Sequence, residues 1–177
     1  KLHTKYGVDL VGLADSFPLG AWPIIEQHHE YIDGSGYPKG LKEGSIDAPI
    51  GRHPVHRVRM AVVPETLGGK PAVTHYTRLA TGVLDGKSVS LLQCRLETGR
   101  THQIRVHLAH IGHPLLGDPV YGRARKPLSE VLKARNFVRQ ALHAAHLGFI
   151  HPVTGNRIAL DSELPADMRE LIDELRV

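Results

Sequence analysis

The pattern of apolar positions changes character near Ile46. Before that point, Leu10, Val11 and Leu13, then Ile24 and Ile25, mark two short helical patterns separated by Phe17-Pro18-Leu19-Gly20. A loop rich in Gly and Pro follows from Asp33 to Gly44. Beyond Ile46 the period becomes that of strands. Val55 to Val63 alternates, with Val58, Met60 and Val62 on one face and Arg57 and Arg59 on the other. After a glycine-rich connection from Pro64 to Pro71, segments 73–83 and 89–96 flank Asp85-Gly86. That dipeptide suits a type I′ turn, whose two central residues both need positive φ, so a hairpin is predicted. In its second strand Leu92, Cys94 and Leu96 lie opposite Gln93 and Arg95.

A helix comes next. Ile104, Leu108 and Ile111 follow i, i+4, i+7 spacing and form one apolar stripe, with Gly112 and Pro114 as its stop. Arg100, Thr101 and His102 then fall at the helix N-terminus, where free N–H groups and the dipole favour an anion. A basic loop from Gly122 to Pro127 leads to a short helix over 128–137 and a strand over 142–150. A last helix starts near Pro165 and carries Met168, Leu171, Ile172 and Leu175 on one stripe. The pattern predicts an α+β fold, a largely antiparallel or mixed sheet with helices packed on it. It also predicts two regions: a helical appendage over residues 1–45, too short to bury a core unaided, and a domain over 46–177.

The composition, 41% hydrophobic and 23% charged, is that of an ordinary globular chain. No apolar run approaches the roughly 20 residues of a membrane span, and residues 1–5 do not read as a secretory signal. The expectation is therefore a cytoplasmic protein with no membrane partner. The absence of an initiator Met suggests a fragment or a processed form. Cys94, the only cysteine, forms no internal disulfide and reads as a core thiol on an apolar strand face. The formal net charge of +4 is unevenly spread: arginine and lysine dominate from Arg52 to Arg139, while acids collect between Asp161 and Glu174. A basic middle with an acidic tail is what an RNA-facing surface would show.

Candidate chemistry concentrates in Gly99-Arg100-Thr101-His102-Gln103-Ile104-Arg105, continuing through Gly117-Asp118-Pro119 to Tyr121-Gly122. With Pro49-Ile50-x-Arg52-His53-Pro54, Gly69-Lys70-Pro71-Ala72-Val73-Thr74-His75-Tyr76, Gln140-Ala141-Leu142-His143-Ala144, His151-Pro152 and Leu164-Pro165-x-Asp167-Met168, this run resembles the Rlu family of RNA pseudouridine synthases over about residues 46–177. The resemblance implies a cofactor-free isomerisation of uridine to pseudouridine in ribosomal or transfer RNA. In such a reaction the base flips out to meet an ionised carboxylate that a cation holds. By match the cation is Arg105, expected to pair bidentately with the catalytic Asp. Arg100, His102 and Gln103 would line the cleft. With Thr101, Lys70 and the basic loop residues Arg123, Arg125 and Lys126, they make up the expected RNA-binding set.

The family's His-Arg-Leu-Asp motif does not occur in this sequence. On this reading the chain alone is inactive, and its carboxylate belongs to a missing N-terminal synthase segment. Asp118 is expected to cap or brace a turn. His107, His110 and His113 are spaced three apart without a carboxylate to complete a metal site, and read as structural or RNA-facing.

A second resemblance lies at the other end. His3, the pair His28-His29 and the loop Gly34-Ser35-Gly36-Tyr37-Pro38 are similar to part of the HD-GYP phosphodiesterases, over about residues 1–45. It implies that His3, His28 and His29 are weak metal-ligand candidates. The His-Asp doublet of that family is absent, so no functional metal site is expected. Three readings follow: an incomplete synthase domain first, then a catalytically silent RNA-binding remnant, then a fragment of a cyclic di-GMP phosphodiesterase.

Overall fold

The computed structural model describes residues 43–122 and 126–175. In chain order the strands are β1 (Glu43–Asp47), β2 (Ile50–Arg52), β3 (Met60–Val62), β4 (Val73–Leu84) and β5 (Lys87–Leu96). Helices α1 (Gln103–His110) and α2 (Lys126–Ala134) follow, then β6 (His146–Ile150), β7 (Arg157–Asp161) and α3 (Ala166–Leu175). All pairing is antiparallel: a sheet in the order β1-β4-β5 and two separate hairpins, β2-β3 and β6-β7. This is the expected α+β architecture.

The β4–β5 hairpin turns at Asp85 and Gly86, at φ 49° and 68°, with Leu84 opposite Lys87. Both positive φ values are those of the type I′ turn that the dipeptide predicts. β1 crosses the 45/46 boundary drawn from composition. Glu43 faces Thr77 and Gly44 faces Tyr76 in the same register that sets Ile46 opposite Thr74.

The alternation over Val55–Val63 does not make a strand that long. Only Met60–Val62 pairs, and Val58 is 87% exposed. His53 ties residues 53–59 into a loop instead: its backbone N–H donates to Arg59 O, and its Nδ1 accepts from the N–H of Val55 and of His56. The same device recurs at His151, whose Nδ1 accepts from Val153 and Thr154. In each His-Pro pair the proline has no N–H, so the imidazole serves the two donors beyond it.

The helix stripes form as predicted. Ile104, Leu108 and Ile111 pack with Ile46, Tyr76, Leu92 and Cys94, while Val106 on another face of α1 joins Ile50 and Ala72. Cys94 is half-buried, and burial pushes its thiol pKa up. α1 ends where Gly112 turns left-handed at φ 87° and His113 N–H reaches back to Leu108 O, a Schellman closure. α2 begins and ends slightly earlier than expected. Asn136 at φ 56° and the Phe137 N–H to Leu132 O bond close it, with both apolar residues in a cluster shared by Leu84, Met168 and Leu171. No described helix is long and apolar enough to cross a membrane.

Candidate functional site

The segment Thr98–His102 leaves β5 and enters α1 through His102, held left-handed at φ 59°. Gln103 fixes that entry. Its Oε1 accepts from Thr98 Oγ1 and from Arg100 N–H, and its Nε2 donates to Val73 O and Thr74 Oγ1. A primary amide has two acceptor sites and two donors, so every valence is used inside the protein. The side chain is buried, so what Gln103 does here is hold the backbone that carries Arg100 and His102.

The network continues along α1. His107 is fully buried, with Nδ1 2.9 Å from Thr74 Oγ1 and Nε2 2.8 Å from Ala48 O. A carbonyl only accepts, so Nε2 carries the hydrogen and Nδ1 receives the Thr74 hydroxyl proton. Burial lowers the His107 pKa, more than the Ala48 bond restores it, and the ring is neutral at physiological pH. This supports the structural reading of His107. Among the described residues no three His, Cys, Asp or Glu side chains gather in a metal-binding cluster.

One helical turn from this network, Arg105 lies against Asp118. Arg105 Nε donates to Asp118 Oδ2 and Nη2 to Oδ1, both at 2.8 Å. Asp118 Oδ1 also accepts from the N–H of Val120 and of Tyr121, so the carboxylate braces its own turn as expected. Burial raises the Asp118 pKa, and the Arg105 and backbone bonds outweigh that and hold it below the ordinary carboxylate value. The same hydrogen bond raises Arg105. The Asp118 side chain has no exposed surface and that of Arg105 only 11%.

The sequence expects Arg105 to face a catalytic Asp from another segment, and in the structure it faces a local acid. Its carboxylate partner is supplied by this chain, because the loop after α1 folds back and places Asp118 opposite the guanidinium. The side-on grip uses Nε and Nη2 and leaves Nη1 without an acceptor among the described residues. Tyr121 covers the group from the other side: its ring centroid is 5.0 Å from Arg105 Cζ. The Tyr121 hydroxyl accepts from Met60 N–H and lies 2.9 Å from His102 Nδ1. Arg105, Asp118, Tyr121 and His102 thus form one cluster, and the sequence reading places Tyr121 in the signature run without giving it a role. An aromatic residue next to the Gly117-Asp118-Pro119 turn was the available signal.

Further residues of the expected contact set lie on the surface. Arg100, Thr101, His102 and Lys70 are exposed, and Arg100 Nε donates to Pro71 O. Lys126 opens α2. Arg123 and Arg125 fall outside the described residues, as do His3, His28 and His29 with the whole HD-GYP resemblance before residue 43.

Comparison with known proteins places this cluster in context. Residues 39–110 match the family model described as RNA pseudouridylate synthase. The chain is 53% identical over 135 residues to ribosomal large subunit pseudouridine synthase D of Zymomonas mobilis, covering 76% of this chain and 41% of that protein. The like-named protein of Nitrosomonas europaea is 54% identical over 136 residues, covering 76% of this chain and 37% of its own. That of Escherichia coli K12 is 49% identical over 139 residues, covering 75% and 40% respectively. The solved structure of human RNA pseudouridylate synthase domain containing 1 superposes with a TM-score of 0.57 at 27% identity, over 77% of this chain and 60% of that one. The fold is therefore pseudouridine synthase-like. The chain spans about two-fifths of the length of the curated relatives it matches.

Proposed function

We propose that the chain from about Glu43 onward is the arginine-bearing, RNA-binding part of an Rlu-type pseudouridine synthase acting on uridine in ribosomal RNA, and that turnover requires a carboxylate from outside the described residues. The supporting observation is the Arg105 cluster. A cation clamped on one edge by Asp118 and stacked on Tyr121 is pre-oriented, while its Nη1 remains for a second acceptor. The relatives' names supply the substrate class, ribosomal large subunit RNA.

Asp118 is not the reacting acid on this reading. Its side chain has no exposed surface, both oxygens are engaged, and it is held ionised by bonds that a nucleophile would have to surrender. Its part is to fix the guanidinium. The isomerisation itself breaks the bond from ribose to base nitrogen, makes one to base carbon, loses a proton from that carbon and gains one at the freed nitrogen. It consumes no co-reactant.

RNA tritiated at uracil C5 tests this. The chain is expected to bind the RNA and release no tritium. Release that Asp118→Asn abolished in a still-folded protein would make Asp118 the acid and overturn the assignment. Failure of the chain to bind RNA would remove the proposal altogether.

A further inference from the structure

Between β2 and β3 the chain reads Arg52-His53-Pro54-Val55-His56-Arg57-Val58-Arg59, and no acid occurs before Val63. Arg52, Arg57 and Arg59 are exposed, and so is Lys70, whose backbone bridges back to Ile50 at the foot of the same hairpin. None of these four has a carboxylate partner among the described residues. Of the described arginines elsewhere, Arg105, Arg135, Arg139 and Arg169 each face an acid, while Arg95, Arg100 and Arg157 stand apart along the chain without one among the described residues.

The loop is also built to hold a shape. Besides the His53 bonds, Arg52 Nη1 donates to Arg57 O and Arg59 N–H to His56 O. Like charges fixed in so short a loop repel one another, and an anion on them would relieve that. The loop's position gives the anion an identity. The residue after Arg59 is Met60, whose N–H donates to the Tyr121 hydroxyl at 3.0 Å, and Tyr121 stacks on Arg105. The basic loop and the arginine cluster thus share one tyrosine.

We infer that the β2–β3 loop is a phosphate-binding site for RNA, with Arg57 and Arg59 gripping backbone phosphates next to the nucleotide that approaches Arg105. The inference deepens the synthase reading and rests on it. Arginine suits the task because its planar fork meets phosphate oxygens bidentately, and the self-bonded loop presents it with little ordering left to do.

The test is binding of a uridine-containing stem–loop RNA across a salt titration, with the full chain, the double variant Arg57→Gln/Arg59→Gln and a control, Lys87→Gln/Arg157→Gln. The control removes the same charge from exposed positions on β5 and β7. Both variants alter exposed side chains, and an unchanged thermal transition checks that they fold. The loop variant should bind about tenfold or more weakly near 0.1 M salt, with a log–log salt slope lower by about 0.7–0.9 per lost phosphate contact. The control should keep the slope of the unaltered chain. Loop and control variants that weaken equally, or a loop variant with unchanged slope, would overturn the loop assignment while leaving the synthase reading intact. An unaltered chain that binds no RNA would overturn both.

Discussion

β4–β5 and β6–β7 are both antiparallel hairpins, the first shifted once in register between Arg78 and Ala80 and the second uninterrupted, and they differ in what lies on them. β4 carries Thr74 and Tyr76 beneath α1, and its far end at Leu84 meets α2 and α3 through Leu132 and Leu171. Every residue of β6–β7 except Ile158 is exposed, including Leu147, Phe149, Ile150 and Leu160. Ladder bonds are present in both, so pairing alone does not distinguish them. An opposing layer does: two strands by themselves are marginal in water, and a hairpin becomes rigid when a helix buries one face. The signature residues sit on the rigid hairpin's side of the molecule, where position can be held well enough for chemistry.

Removing Asp118 should expose this contrast most strongly. Asp118→Ala strands a nearly buried guanidinium and two backbone N–H groups, which should cost about 3–5 kcal/mol. Denaturant unfolding should show the loss as a lower midpoint. The double variant Arg105→Met/Asp118→Ala should lose less than the two single variants summed, since no unpaired charge remains. Strict additivity would mean that the pair is not coupled as the geometry shows.

A smaller effect comes from His107. Its pKa is lowered on folding from the ordinary 6.5, so the unfolded chain takes up a proton that the native ring refuses. The associated stability is complete above pH 6.5 and is lost as pH falls from there toward the depressed native value, at no more than about 1.4 kcal/mol per pH unit. Comparison with His107→Gln isolates this contribution: the difference between their unfolding free energies should narrow as pH falls. A pH-independent difference would show that His107 titrates alike in both states. Least of all, Phe149→Thr on the exposed hairpin should change stability by only about 0.5 kcal/mol or less. A loss comparable to that at Asp118 would show that β6–β7 is covered in solution.

Much of the local architecture was legible in the sequence. Asp85-Gly86 announced its turn, Ile104, Leu108 and Ile111 their shared face, and Gly112 the helix end, because each depends on backbone φ or on helical period within a few residues. The long alternation at 55–63 misled because His53 offered a local acceptor that competed with strand pairing.

The site divides along the same line. Chemistry-bearing residue types within Gly99–Gly122 were evident from the order of residues, but which side chains turn inward was not. Gln103 finds Val73 thirty residues away, His107 finds Thr74 thirty-three away, and Arg105 finds Asp118 only because the chain returns after α1. A sequence lists donors and acceptors; which of them meet in the dry interior, where an unpaired one is costly, is decided when distant segments close on each other.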